Sequence, residues 1–218
     1  MTTKTKATVT SLVLIIVIAI VAIFLNQYDE NNSPSKSSKS APTTTPTKVG
    51  EPKLNTSVVV EGLNNVWEIA FLPDSTMLFT ERDGDLSKLV EDKKELITKI
   101  PGVYAQGEGG LMGLAVDSDF GTNNYIYVCY NYKSGDTLDN RVTRFELADS
   151  VNEPVNIVTG IPSNDSGRHS GCRVKSADNG NLWITTGDAA DSDNPQSPKS
   201  LGGKVLRVDR DGKAIKGN

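Results

Sequence analysis

From residue 51 onward, apolar and polar side chains alternate in runs of six to nine residues, broken by Asp, Asn and Gly. A period of two is that of a strand with one buried face, and no stretch here holds a convincing 3.6-residue helical period. Three stretches share one layout. Residues 66–72 pass through the turn Pro73-Asp74 into 76–81; residues 111–117 pass through 118–121 into 124–132; residues 172–178 pass through Asn179-Gly180 into 181–188. Setting Met77, Ile126 and Leu182 as equivalent gives steps of 49 and 56 residues. A further strand is predicted after each pair, at 85–90, 141–147 and 204–209. Four-stranded repeats of this size predict an all-β fold, a β-propeller. A β-sandwich also has many short strands but requires no recurring strand–acidic turn–strand unit. Residues 51–218 number 168. At about 50 residues per blade that is an arc of about three blades, where closed propellers have about four to eight. The expectation is therefore an incomplete propeller, a fragment or a truncated gene, with open sheet edges.

The first fifty residues follow another pattern. Ala7 to Leu25 is an uncharged apolar run preceded by Lys4 and Lys6 and followed by Asp29 and Glu30. As a helix it would span roughly 28 Å, close to the ~30 Å hydrocarbon core of a bilayer. The reading is a cytoplasmic N-terminus at 1–6, a transmembrane helix at 7–28 acting as an uncleaved anchor, and a propeller outside, extracellular or periplasmic. A cleaved signal peptide is the competing reading, but its apolar region is shorter and ends in small residues. Residues 29–50 are rich in Ser, Thr and Pro and read as a disordered linker.

Charge and chemistry narrow the picture. The chain has 23 basic and 27 acidic residues, net −4, so no basic field points to nucleic acid. Cys129 and Cys172 fall on the side predicted to be exocytoplasmic, where a disulfide is allowed; spacing alone leaves pairing or separate packing open. Asn31, Asn55 and Asn164 head N-glycosylation sequons. His169 is the only histidine in 218 residues, flanked by Gly167, Gly171, Arg168 and Arg173. It is the one side chain with an ordinary pKa near neutrality, hence the candidate for proton transfer. The acidic run Asp188–Asn194 lacks the Gly and terminal Glu of an EF-hand, and no metal site is predicted within 51–218.

Several strings together resemble a known family. They are Val66–Asp74 with Leu78–Arg82, Gly107–Ala115 with Asp119–Tyr125, His169–Arg173, Thr185–Asp188 and Leu201–Asp209. In order and spacing they resemble the first half of the soluble quinoprotein glucose/sorbosone dehydrogenases and the related aldose sugar dehydrogenases, which are six-bladed propellers. The resemblance implies an enzyme that oxidises the anomeric carbon of a sugar, here behind the membrane anchor read from residues 7–28. Hydride would pass to pyrroloquinoline quinone (PQQ), with calcium as second cofactor and an external electron acceptor. It implies that His169 is the general base, that Glu108 touches cofactor and substrate, that Arg173 binds the cofactor and that Asp188 lines the substrate site or organises a turn. Arg168 stands where the glucose-specific branch has an acidic residue, and Ala189 where it has Gln, which points to a broader aldose range. Most residues that grip the quinone carboxylates and calcium belong to blades beyond residue 218. The alternative is a non-catalytic propeller that binds a carbohydrate or protein partner.

Overall fold

The computed structural model describes residues 53–148 and 154–217. The predicted cytoplasmic end, membrane helix and linker at 1–50 lie outside the described residues. Among the latter, no helix is long and apolar enough to cross a membrane.

Among the described residues eleven strands form three antiparallel sheets in chain order. The first holds β1 (Val66–Phe71), β2 (Met77–Glu81), β3 (Asp85–Val90) and β4 (Lys93–Lys99). The second holds β5 (Leu111–Val116), β6 (Tyr125–Ser134), β7 (Thr137–Glu146) and β8 (Val155–Ile161). The third holds β9 (Gly171–Ser176), β10 (Leu182–Thr186) and β11 (Val205–Val208). The first strands of the sheets lie side by side, with β5 between β1 and β9.

Met77, Ile126 and Leu182 are structurally equivalent, since each pairs with the last residue of the preceding strand: Phe71, Val116 and Ser176. Two points differ from the expectation of four strands throughout. The third sheet has three strands among the described residues. Two single-turn helices, α1 (Phe120–Asn123) and α2 (Asp193–Gln196), interrupt the loops; they are too short for a hydrophobic period to reveal.

Alternation along the middle sheet builds two cores. Leu111, Leu114, Ile126, Val128 and Phe145 pack toward the first sheet. Met112, Ala115, Tyr127, Cys129 and Val142 face Cys172, Val174, Leu182 and Ile184 of the third. Each fully buried Leu, Ile or Phe contributes about 1.5–3 kcal/mol relative to exposure, so the middle sheet is anchored from both faces. The flanking sheets are anchored from one: Ile69 and Phe71 on β1, and Trp183 and Val205 on β10 and β11, remain exposed.

The open question of the cysteines closes here. Cys129 of β6 and Cys172 of β9 form a disulfide, Cα–Cα 5.9 Å, buried in the core between the second and third sheets. Closing a 43-residue loop stabilises a fold by about 2–4 kcal/mol. A second fastener lies in the β5–β6 turn, where the buried Asp117 carboxylate accepts bonds from Arg210 Nε and Nη2, Tyr127 Oη and Asn123 Nδ2.

Candidate functional site

Three loops meet at one end of the strands: residues 104–110 before β5, 162–170 before β9, and 187–204 after β10. Small residues let them touch. A Cβ at Gly187 would stand 1.6 Å from the His169 carbonyl oxygen, and one at Gly167 (φ +67°) 1.7 Å from that of Gln106. Only glycine permits either approach.

His169 is held from every side. Its own φ is +52°, and Ala189 and Ala190 opposite are at +58° and +59°, all in the left-handed region that L side chains seldom adopt. Such conformations persist where surrounding bonds over-determine them. Here the His169 N–H donates to Glu108 Oε2 at 2.9 Å, and its carbonyl accepts from the Ala189 N–H at 3.1 Å. The ring nitrogen Nδ1 lies 2.9 Å from Asp188 Oδ1. Asp188 also accepts the Ala190 N–H at 2.8 Å. That bond, and then the imidazole, hold its carboxyl below the usual carboxylate range. An ionised Asp188 accepts only, so the neutral imidazole carries its proton on Nδ1 and leaves the Nε2 lone pair free. With the side chain 46% exposed, that lone pair can meet a ligand.

Of the residues singled out from the sequence, Glu108 and Asp188 are brought onto His169. Arg173 is not. Its guanidinium crosses to the first sheet, where it pairs with the buried Glu68 and lies over the Trp67 ring at 4.9 Å.

Other members carried no sequence signal of this role. Asn164, noticed only as a sequon, donates from Nδ2 to the carbonyls of Arg168 and Ala189, while its Oδ1 accepts the Ser166 N–H. It thereby staples the His169 loop to the Asp188 loop, and that Nδ2 is already engaged. Asn194 Nδ2 donates to the Asp188 carbonyl, and Lys204 Nζ donates to the carbonyls of Asn194, Pro195 and Gly202. Arg82, in the β2–β3 turn, donates from Nη1 to the Gly107 carbonyl. Asn followed by Asp, or Lys after Gly-Gly, is too common to have marked these contacts in advance.

A cleft of about 330 Å³ between the first and second sheets, lined by Leu72, Leu78, Leu96 and Phe120 among others, includes no residue of these three loops. The three loops form an open rim apart from that cleft.

An exposed imidazole oriented by a carboxylate, on a rim built from successive propeller-like sheets, agrees with the comparisons. Residues 63–218 match the model of the glucose/sorbosone dehydrogenase family. The chain belongs to that family. It is 28% identical over 162 residues to the aldose sugar dehydrogenase of Escherichia coli K12, covering 71% of this chain and 44% of that protein. The PQQ-bound aldose sugar dehydrogenase of Streptomyces coelicolor superposes with a TM-score of 0.68 at 30% identity, over 74% of this chain and 49% of that one. The E. coli enzyme in its apo form superposes at 0.69 and 27% identity, over 75% and 49%. This chain spans less than half the length of its curated relatives. The all-β architecture is that of the PQQ dehydrogenase propellers.

The Streptomyces coelicolor relative is PQQ-bound, and the resemblance implies calcium beside it. Among the described residues there is no group of three or more His, Cys, Asp or Glu able to hold a metal ion. No cluster of carboxylates that could receive calcium stands among the described residues. A flat polyanionic quinone does find one suitable side: the exposed Nε2 edge of His169, with the exposed Arg168 adjacent in sequence.

Proposed function

We propose that this chain carries the base-bearing half of a PQQ-dependent aldose dehydrogenase, membrane-anchored and exocytoplasmic. The observation that supports it most is the His169–Asp188 pair, with Nδ1 engaged and Nε2 free. His169 Nε2 takes the proton of the anomeric hydroxyl as the C1–H bond breaks with its electron pair, giving the lactone. PQQ, when bound, supplies the two-electron acceptor for that hydride. Asp188 fixes the tautomer and stabilises the imidazolium that forms, and its second oxygen faces the sugar. Arg173, shared with Glu68 and with its side chain 47% exposed, is the proposed contact to the cofactor. An external electron acceptor is the further partner that this reading would require. The Ala7–Leu25 run supports the anchor.

The test is reconstitution of the full-length protein with PQQ and Ca²⁺, followed by dye reduction with an aldose panel. His169→Ala lowers turnover by about 10²-fold or more. A loss below tenfold removes His169 as the base. Arg168 and Ala189, which depart from the glucose-specific pattern, favour a second reading, a non-catalytic carbohydrate- or protein-binding propeller. Calorimetric binding of an aldose without turnover at any PQQ concentration would select it.

A further inference from the structure

Glu108 was expected to meet cofactor and sugar, yet one of its two oxygens is turned back into the protein. We infer that Glu108 is a positioning residue for His169, acting through the histidine's backbone N–H rather than through the reacting groups. The inference rests on the proposed role of His169 as base, and it assigns Glu108 a task separate from cofactor contact.

Three observations carry it. First, the Glu108 Oε2 to His169 N bond is 2.9 Å long and joins residues 61 apart, on loops that belong to different sheets. Second, the bond is made to a residue in a strained conformation. At φ +52° the His169 N–H takes its acceptor from the loop of the neighbouring sheet. A carboxylate acceptor is about twice as strong as a neutral one, which suits the holding of a backbone that would otherwise relax. Third, Glu108 is itself tied to the first sheet, because Arg82 Nη1 donates to the carbonyl of the adjacent Gly107. The result is a continuous relay: Arg82 in the first sheet, the Gly107-Glu108 peptide before the second, and His169 before the third. The imidazole is therefore aimed by two carboxylates, Asp188 on the ring and Glu108 on the main chain.

Alternatives for the same group are less well matched. Glu108, Asp188 and His169 do not converge into a group able to hold a metal ion, and none is formed among the described residues. A purely structural role fits poorly with an exposed side chain on a rim, where loss of one bond leaves the core intact.

The chain holds a single histidine, so selective ¹⁵N-histidine labelling gives one backbone amide signal from residues 1–218; in a longer protein it is the signal lost in His169→Asn. Glu108→Gln retains an acceptor oxygen at the same reach, while Glu108→Ala removes it. The expected result is amide exchange at His169 at least tenfold faster in Glu108→Ala and within threefold of wild type in Glu108→Gln, with unchanged melting temperatures in both. In the reconstituted enzyme, Glu108→Ala lowers kcat about tenfold, with sugar KM and PQQ affinity within twofold, and Glu108→Gln restores kcat. Unchanged amide exchange in Glu108→Ala overturns the inference. So does a tenfold weaker PQQ affinity in both variants, which makes Glu108 a cofactor ligand instead. The expected exchange pattern in a protein that shows no turnover leaves the positioning role standing and sinks the proposed dehydrogenase function.

Discussion

Two carboxylates at opposite ends of the strands, Asp117 and Asp188, are each paired with a cation or potential cation, and they are built for different tasks. Asp117, its side chain fully buried, accepts from Arg210, Tyr127 and Asn123 and from the Asp119 N–H. Asp188 keeps its side chain 31% exposed and bonds only the Ala190 N–H and the His169 ring. Around Asp117 nearly every lone pair is filled by the protein, so nothing remains for a ligand. Around Asp188 the neighbours hold strained backbone and leave both a carboxylate oxygen and the imidazole Nε2 available. The fully satisfied site bolts the third sheet to the second; the partly satisfied one is where the proposed chemistry falls.

The sharpest way to separate them is to remove the bolt. Asp117→Ala leaves Arg210 and Tyr127 facing a vacated buried position. Breaking a buried pair in this way costs about 3–5 kcal/mol. The expected outcome is a large fall in the denaturation midpoint, measured by circular dichroism in urea, with the His169 geometry unaltered in whatever fraction stays folded. A change below about 1 kcal/mol would mean the Asp117 cluster contributes no more than an ordinary surface pair.

Acid titration makes the same distinction without mutation. The donors around Asp117, led by the Arg210 guanidinium, outweigh its burial and hold its pKa at about 2, against an ordinary 3.8. A depressed folded-state value means the stabilisation is complete above the ordinary pKa and is lost as pH falls through about 2. The shift corresponds to about 2 kcal/mol. Stability should therefore be flat between pH 7 and 5 as far as this group is concerned, then decline between about pH 4 and 2. In the Asp117→Asn protein that step should be missing; its persistence would assign the acid transition to other groups.

The two ends were unequally readable in the amino-acid order. Strand register followed from side-chain period, down to the equivalence of Met77, Ile126 and Leu182, because burial on alternate faces is a local and repeated demand. β4 escaped notice because it is an outer strand, Lys-Lys-Glu-Leu-Ile-Thr-Lys, with little buried surface to impose a pattern. β8, with Ile157, Val158 and Ile161 buried, carried a signal that could have been found. At the site, His169 stood out by being unique, but its partnership with Asp188 did not. That contact depends on left-handed φ values at His169, Ala189 and Ala190 and on the bare backbone of Gly187, and none of these has a period. Glu108 was noticed for the right loop and given a different task. The disulfide stayed open because spacing says nothing of which strands of neighbouring sheets stand back to back.

The smallest of these effects is the most diagnostic. Asp188→Asn keeps the volume, and because Oδ1 accepts both the Ala190 N–H and the ring, the Ala190 bond survives only when the amide oxygen takes that position. The substitution removes the charge, and with it the preference for a proton on His169 Nδ1. If the amide nitrogen faces the ring, Nδ1 must become the acceptor and the free edge becomes an N–H, which cannot take a proton. If the amide oxygen faces the ring, the tautomer survives but the imidazolium formed during turnover loses its counter-charge. Either arrangement lowers kcat, by about tenfold or more, about 1.4 kcal/mol at the lower bound. The folded state should be nearly indifferent, because an exposed pair contributes about 1 kcal/mol at most. Stability measured in urea and kcat measured by dye reduction should thus separate in opposite senses: Asp188→Asn lowers kcat and spares stability, whereas Asp117→Ala lowers stability and spares the kcat of the folded fraction. Equal losses in both quantities at position 188 would make it another bolt, and would leave His169 without a partner to orient it.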